Sequence, residues 1–333
     1  MLIPVLLFLV GLALLIKGGD WFVDGATGIA HRFHVPDLLI GATVVSIGTT
    51  LPEVMVSATS AVGGQGAMAY GNAIGSVICN TSLIAALTIA IKPAPVEKKS
   101  LRMPVAFFFV AALFYAVTAY TTGYFSRVTG VILLAGFVAY MILQVKQTLA
   151  VKKNGSVNAG ESTLQAAGLE DTSEKEEGSL VKDILLLVVG AALITVGANL
   201  LVDNGTILAK ELGVPESVIA LTLVALGTSL PELVTAITSL AKGHGALSLG
   251  NIIGANLFNL VLVSGVSVTL APFQVPAEKT ISGMNASLVV DLPLMFLVMM
   301  IMTIPPLVKG KLYRAQGILL LCLYVGYCIF QFV

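Results

Sequence analysis

Apolar runs of about 20 residues, the length a helix needs to cross a bilayer, recur ten times along this 333-residue chain. They fall at roughly 2–23, 36–62, 67–92, 103–122, 128–149, 183–205, 215–241, 246–271, 286–306 and 315–333. By length all are helices, so the pattern predicts an all-α polytopic membrane protein. Between the fifth and sixth runs lies a clearly polar stretch, Lys152 to Lys182, with an Asn-Gly pair, Ser and Thr residues and a Glu-Lys-Glu-Glu cluster. Its composition reads as a flexible linker, too short for a regulatory domain. The expected organisation is therefore a five-helix unit over 1–150, a linker over 151–182 and a second five-helix unit over 183–333. Met1 to Ile16 superficially resembles a signal peptide. It lacks a basic n-region and a clear cleavage site, and it reads as the first span.

The two units repeat one another. A shift of 179 lays positions 11–80 on 190–259 without a gap, and 28 of the 70 pairs are identical. Among them are Gly18/Gly197, Asp24/Asp203, Pro36/Pro215, Gly48/Gly227, Pro52/Pro231, Glu53/Glu232, Gly71/Gly250, Asn72/Asn251, Gly75/Gly254 and Asn80/Asn259. Shared apolar composition does not produce polar and glycine matches in constant register. Five spans per half is an odd number, so the second half enters the membrane from the opposite side. That is the inverted-repeat arrangement of many secondary transporters, whose site lies at mid-membrane between the repeats.

Composition agrees: 57% of residues are hydrophobic and 11% charged, which marks an integral membrane protein with the lipid bilayer as its surroundings. The net charge of zero argues against a nucleic-acid partner. Cys79, Cys322 and Cys328 lie in apolar spans without metal-type spacing, and read as small apolar residues. Charge bias sets the orientation. With the N-terminus outside, the cytoplasmic loops carry fourteen Lys or Arg residues and the outer loops only Arg127, Lys210 and Lys279. Lys17, near the inner end of the first span, can snorkel. Both termini are then expected outside and the linker in the cytoplasm.

The chemistry concentrates in Gly48-Thr-Thr-Leu-Pro-Glu53 and Gly227-Thr-Ser-Leu-Pro-Glu232. A charged residue at a helix centre costs roughly 2.5–3.5 kcal/mol on insertion scales, and this chain carries that cost twice at matched positions. Pro52 has no N–H and its ring clashes with the carbonyl of Gly48. Leu51 is pushed from helical geometry. The spacing predicts a second helix broken at Gly48–Leu51, with carbonyls freed near the bilayer centre, where irregular backbone is tolerated only if it lines a cavity or is buried in protein. The seventh helix repeats the pattern. Thr49, Thr50, Thr228 and Ser229 add hydroxyls beside Glu53 and Glu232.

The third span supplies Asn72, Ser76 and Asn80, spaced by four and so on one face; the eighth supplies Asn251, Ala255 and Asn259. Gly71, Gly75, Gly250 and Gly254 follow the small-xxx-small pattern that lets helices approach closely. Carboxylate, amide, hydroxyl and carbonyl oxygens with no adjacent His or Cys cluster suit a hard cation, calcium above magnesium or softer metals. A proline kink with a protonated, packing glutamate is the bland reading, and the second matched copy argues against it. Asn72 and Asn251 suit inter-helix hydrogen bonding or ion contact equally. Asp24, Asp203 and Asp291 read as interfacial or capping groups, and His31, His34 and His244 as solvated loop residues.

These motifs, with Gly71-Asn-Ala-Ile-Gly-Ser76 and Gly250-Asn-Ile-Ile-Gly254, resemble the alpha repeats of the sodium/calcium exchangers in the cation/calcium exchanger superfamily, and ten spans with a short linker resemble its compact prokaryotic members. The resemblance implies a calcium/sodium antiporter of a prokaryotic plasma (inner) membrane, needing no cofactor and sufficient as a monomer. It implies that Glu53 and Glu232 ligate calcium and also form sodium sites, that Thr49, Thr50, Thr228 and Ser229 supply hydroxyl and carbonyl oxygens, and that the carbonyls of Ser46 and Ala225 complete neighbouring sodium sites. Ser76 and Asn80 match family positions on the third helix. Asn259 stands where these exchangers commonly have an acidic residue, and Ala255 where they have a hydroxyl. Two carboxylates instead of three leave a proton-coupled calcium antiporter as the alternative. The proton-coupled members usually carry an acidic residue beside the helix-three motif, where this chain has Gly75 and Gly254. A cation channel lined by the same oxygens is disfavoured, because a compact dicarboxylate site holds its ion too tightly for fast conduction. An enzyme is disfavoured by the lack of a nucleophile–base pair or cofactor motif.

Overall fold

The structure, a computed structural model, describes residues 2–93, 95–153, 179–212, 227–277 and 279–332. Nine helices among the described residues are long and apolar enough to span a bilayer. They are Leu2–Phe33, Asp37–Val62, Gly66–Ile91, Lys98–Thr122, Arg127–Gln147, Leu180–Leu208, Gly245–Leu270, Ser287–Lys309 and Arg314–Gln331. The expected seventh span is described from Gly227 onward and contains the helix Leu230–Ala241. Nearly all of the linker lies outside the described residues.

The first helix runs ten residues beyond its apolar stretch, to Phe33. Those turns are largely buried and carry ion pairs. Arg32 Nε lies 3.5 Å from Asp183 Oδ2 on the sixth helix. Lys242 Nζ lies 2.8 Å from Asp24 Oδ1 and donates to the Asp20 carbonyl at 3.0 Å. Asp24 is exposed and paired with Lys242, and Asp203 is exposed. The first and sixth helices pack along their length through glycines. A Cβ on Gly11 would meet the Gly197 carbonyl at 2.9 Å, and one on Gly197 would meet that of Gly11 at 2.8 Å; Gly18 and Gly190 face each other in the same way, at 3.0 and 2.9 Å. The shift of 179 exchanges these two contacts.

The matched turns Gly63–Gln65 and Lys242–His244 also share a geometry. Gly64 and Gly243 adopt φ of +78° and +86°, a left-handed conformation open to glycine without steric cost. The next amide bonds back, Gln65 to Ser60 at 2.8 Å and His244 to Ser239 at 2.7 Å. They lie at opposite ends of the second helix, because His244 Nδ1 sits 2.9 Å from Asp37 Oδ2 at its start while Val62 ends it. His244 is therefore a half-buried hydrogen-bonding partner of Asp37, not the solvated loop residue its position suggests.

Loops expected on one side of the membrane do meet. Val96 donates to the Gly310 carbonyl at 2.8 Å and Arg314 Nη2 to that of Ile91 at 3.2 Å. On the other face Tyr124–Phe125 pairs antiparallel with Phe273–Gln274, and Thr280–Ile281 with Met284–Asn285. These small ladders are the non-helical regular structure among the described residues. They escape a reading based on apolar runs because two-residue strands have no periodicity to detect.

Among the described residues four π-helical turns interrupt the spans: Gly41–Val45, Asn80–Ala85, Asn259–Val263 and Ser287–Asp291. Each frees carbonyls from the regular ladder, a feature frequent at functional sites. Side chains take up several of them. Ser46 Oγ donates to the Gly41 carbonyl at 2.6 Å, Ser264 Oγ to that of Asn259 at 3.0 Å, and the Tyr120 hydroxyl to that of Leu288 at 2.5 Å. Asp291, at the end of the last π turn, accepts from Tyr327 at 3.3 Å and Gln331 at 3.5 Å. It is thus tied into the tenth helix and is more than an interfacial group.

Candidate cation-binding site

Pro52 and Pro231 each precede a glutamate, and each withholds the N–H that the carbonyl four residues earlier would accept. In the first half the helix does not open at Gly48–Leu51. It is α-helical from Ser46 to Val62 with Pro52 inside, and the irregularity lies a turn earlier, at Gly41–Val45. There the Ser46 backbone N–H and hydroxyl both close onto Gly41 O, so the extra residue is absorbed by hydrogen bonding before the proline is reached. In the second half Thr228 and Ser229 form a turn, and the helix Leu230–Ala241 begins after them with Pro231 in its first turn. A missing N–H costs little there, since first-turn amides lack intrahelical partners. Ala225, expected to offer its carbonyl, lies outside the described residues.

Both glutamates are fully buried. Among the described residues no hydrogen-bond donor reaches any of their four carboxyl oxygens. Thr50 and Ser229 are buried at the matched positions, and their hydroxyls also lack partners. Asn80 and Asn259, each the first residue of a π turn, are fully buried with both amide atoms unpartnered. Buried polar groups normally find partners. This concentration of oxygens without donors, on the segments that carry the motifs, suits a cation supplied from outside the protein. Ser76 is buried on the third helix, and Ser46 is fully buried on the second.

Thr49 and Thr228 are held by asparagines of the opposite half. Thr49 Oγ1 donates to Asn251 Oδ1 at 3.2 Å, and Thr228 Oγ1 to Asn72 Oδ1 at 3.3 Å. The shift of 179 turns one bond into the other. Asn72 and Asn251 thus make the hydrogen bonds between helices that were one of the two roles open to them. Asn72 Nδ2 also reaches Ser57 Oγ at 2.8 Å and the Glu53 carbonyl at 3.3 Å. Thr49 lies beside the Glu232 carboxyl as well.

The glycines of the eighth helix let it touch the second. A Cβ on Gly250 would come within 2.1 Å of the Leu38 carbonyl, and one on Gly254 within 2.1 Å of Ser46 Oγ. The close approach expected of the small-xxx-small pattern is present here. For Gly71 and Gly75 the matching partners fall in 217–225, outside the described residues.

Several buried polar residues were not singled out in the sequence: Ser57, Thr235, Ser239 and Asn256. Asn256 Nδ2 donates to Thr81 Oγ1 at 2.7 Å, one turn from Asn259 and next to Asn80. The missed signal is spacing. Thr235 and Ser239 stand three and seven residues after Glu232, on the same helical face.

The sequence matches the family described as "Sodium/calcium exchanger protein" over residues 3–146 and 182–333. The chain belongs to the sodium/calcium exchanger family. It is 30% identical to the sodium/calcium exchanger MaX1 of Methanosarcina acetivorans, with 98% of each chain covered. It is 36% identical to an uncharacterized membrane protein of Methanocaldococcus jannaschii, covering 96% of this chain and 94% of that one. Its fold matches the sodium-calcium exchanger NCX_Mj, solved after soaking with 2.5 mM Na+ and 10 mM Sr2+, at a TM-score of 0.77 with 33% identity and 97% of each chain covered. This family member is a multi-pass membrane transporter and not an enzyme. Among its described residues no group of three or more His, Cys, Asp and Glu side chains gathers.

Proposed function

We propose that the protein exchanges calcium for sodium by alternating access around a mid-membrane site built on Glu53 and Glu232. The observation that carries this reading is the pair of fully buried carboxyl groups, one from each half, with no hydrogen-bond donor among the described residues on any of their four oxygens. Calcium takes about six to eight oxygen ligands in irregular geometry. The glutamates, the hydroxyl and carbonyl oxygens of Thr49, Thr50, Thr228 and Ser229, and the amide oxygens of Asn80 and Asn259 supply such a set. Ser76 and the carbonyls of Ser46 and Ala225 complete the sodium sites in this reading.

Exchange follows from mutual exclusion. Two ionised carboxylates sealed from water without a counter-charge are unstable, because the desolvation penalty exceeds what the protein returns. One calcium or the competing sodium ions neutralise them. The site then changes its exposed face only when loaded, which couples the two ions. The two halves act as inverted repeats, a reading supported by the glycine, turn and Thr–Asn pairs that the shift of 179 exchanges. The excess of Lys and Arg on the linker face supports a cytoplasmic linker and outer termini, in a prokaryotic plasma membrane.

The test is radiolabelled calcium uptake into sealed proteoliposomes preloaded with sodium, beside proteoliposomes carrying only a pH gradient. Uptake should require outward sodium. Glu53→Gln and Glu232→Gln should abolish it while membrane insertion and detergent stability persist, and full exchange in either variant would sink the two-glutamate site. Uptake driven by the proton gradient alone would move the assignment to proton/calcium antiport, with Asn259 in place of a third carboxylate as the feature to explain.

A further inference from the structure

Four polar groups follow one another along one face of the helix that carries Glu232: Ser229, Glu232, Thr235 and Ser239, spaced by three, three and four. All are buried, three of them with no measurable exposure, and among the described residues the side-chain oxygens of all four have no hydrogen-bond partner. Several other hydroxyls in the spans behave differently. Thr27, Thr81, Ser267 and Thr303 each bond back to the carbonyl four residues earlier, at 2.6–2.9 Å, the usual way a helix satisfies them. Thr235 and Ser239 forgo that bond, although burying an unpaired hydroxyl costs free energy that alanine or valine would avoid.

The file has a direction. From Ser229 to Ser239 is ten residues, about 15 Å of helix at 1.5 Å per residue, or about half the hydrocarbon thickness of a bilayer. It starts at the glutamate site and ends one turn short of Lys242, on the face where Asp37, Asp24 and the linker ends gather. The first helix packs on another side of this helix, against Val234 and Thr238 beside Gly19. In the first half Thr50, Glu53, Ser57 and Ser60 are buried on the helix leading from the site to the opposite face, with Val56 at the position matched to Thr235 and Ser57 Oγ accepting from Asn72 Nδ2 at 2.8 Å.

We infer that Thr235 and Ser239 line the route by which the cation passes between the glutamate site and the linker face, replacing waters of hydration as it moves. Ser57 and Ser60 line the equivalent route to the other face. Hydroxyl oxygens suit this task, since a hard cation exchanges water for them without being held as it is by a carboxylate. This inference rests on the two-glutamate reading of the site.

The experiment is cysteine modification of the full-length protein in sealed vesicles of both orientations. Ser239→Cys, Thr235→Cys and the lipid-exposed control Ile237→Cys are treated with a membrane-impermeant methanethiosulfonate, and reactivity is taken by difference from the parent, which keeps its native cysteines. A thiol reacts as thiolate and so needs water. Ser239→Cys and Thr235→Cys should react at least about tenfold faster than Ile237→Cys, from the linker face, and saturating calcium on that face should slow them. Ser60→Cys should react from the opposite face. Reactivity no greater than that of Ile237→Cys under every sodium and calcium condition, or access from the wrong face, overturns the route. As a second measurement, Thr235→Val combined with Ser239→Ala should lower the exchange rate severalfold while calcium binding at equilibrium is unchanged; an undiminished rate also overturns it. Failure here alongside loss of exchange in Glu232→Gln removes only the route. Full exchange in Glu232→Gln removes the site beneath it.

Discussion

A threonine hydroxyl serves a cation well only if its hydrogen points elsewhere. Thr49 lies beside Glu232 and donates at 3.2 Å to Asn251 Oδ1, so the amide oxygen draws the hydrogen away and leaves the lone pairs free. Thr228 and Asn72 repeat the arrangement across the halves. A neutral hydrogen bond contributes ~1 kcal/mol, about fivefold in an equilibrium constant. Asn251→Ala should therefore raise the half-saturating calcium concentration about fivefold, with little change in maximal rate. In a Thr49→Val background the same substitution should add almost nothing, because its effect runs through the hydroxyl. Uptake titrations of the two single variants and the double variant read this coupling directly.

The elements meet where side chains are absent. Gly254 places the eighth helix against the Gly41–Val45 π turn, and a Cβ there would lie 2.1 Å from Ser46 Oγ and 2.7 Å from the Ala42 Cα. Overpacking of this kind costs about 1–3 kcal/mol. Gly254→Ala should lower the thermal unfolding midpoint in detergent and weaken exchange together, since the displaced segment carries Ser46 and leads into Thr49. Ala255→Ser, one residue on, is the contrasting case. It adds only a hydroxyl where the family commonly has one, and its main readout should be ion affinity.

For the whole molecule, the reciprocal glycine contacts between the first and sixth helices and the matched turns at opposite ends of the second helix are what two halves in opposite orientation produce. Orientation in the cell can be read by labelling. Ser179→Cys, at the linker edge of the sixth helix, should be modified only from the cytoplasm, and Ser282→Cys, in the turn between two short strands, only from outside. The reverse pattern would overturn the topology derived from the Lys and Arg bias.

Much of this protein was legible before any coordinates. Apolar run length fixed the helices, because a bilayer leaves the backbone no other way to satisfy its hydrogen bonds. Duplication in constant register pointed to Glu53, Glu232 and their hydroxyl neighbours, since polar residues in a span are too costly to persist twice without use. Tertiary structure decided what depends on contacts between distant segments. Pro52 suggested a break at Gly48–Leu51, but the irregularity lies at Gly41–Val45, where Ser46 and the facing Gly254 make a π turn affordable. Only packing shows that Asn72 and Asn251 meet hydroxyls 156 and 202 residues away in sequence. His244 looked like a loop histidine until Asp37 was placed beside it. A sequence states what each helix can bury; which unpaired groups face one another is settled only when the helices pack.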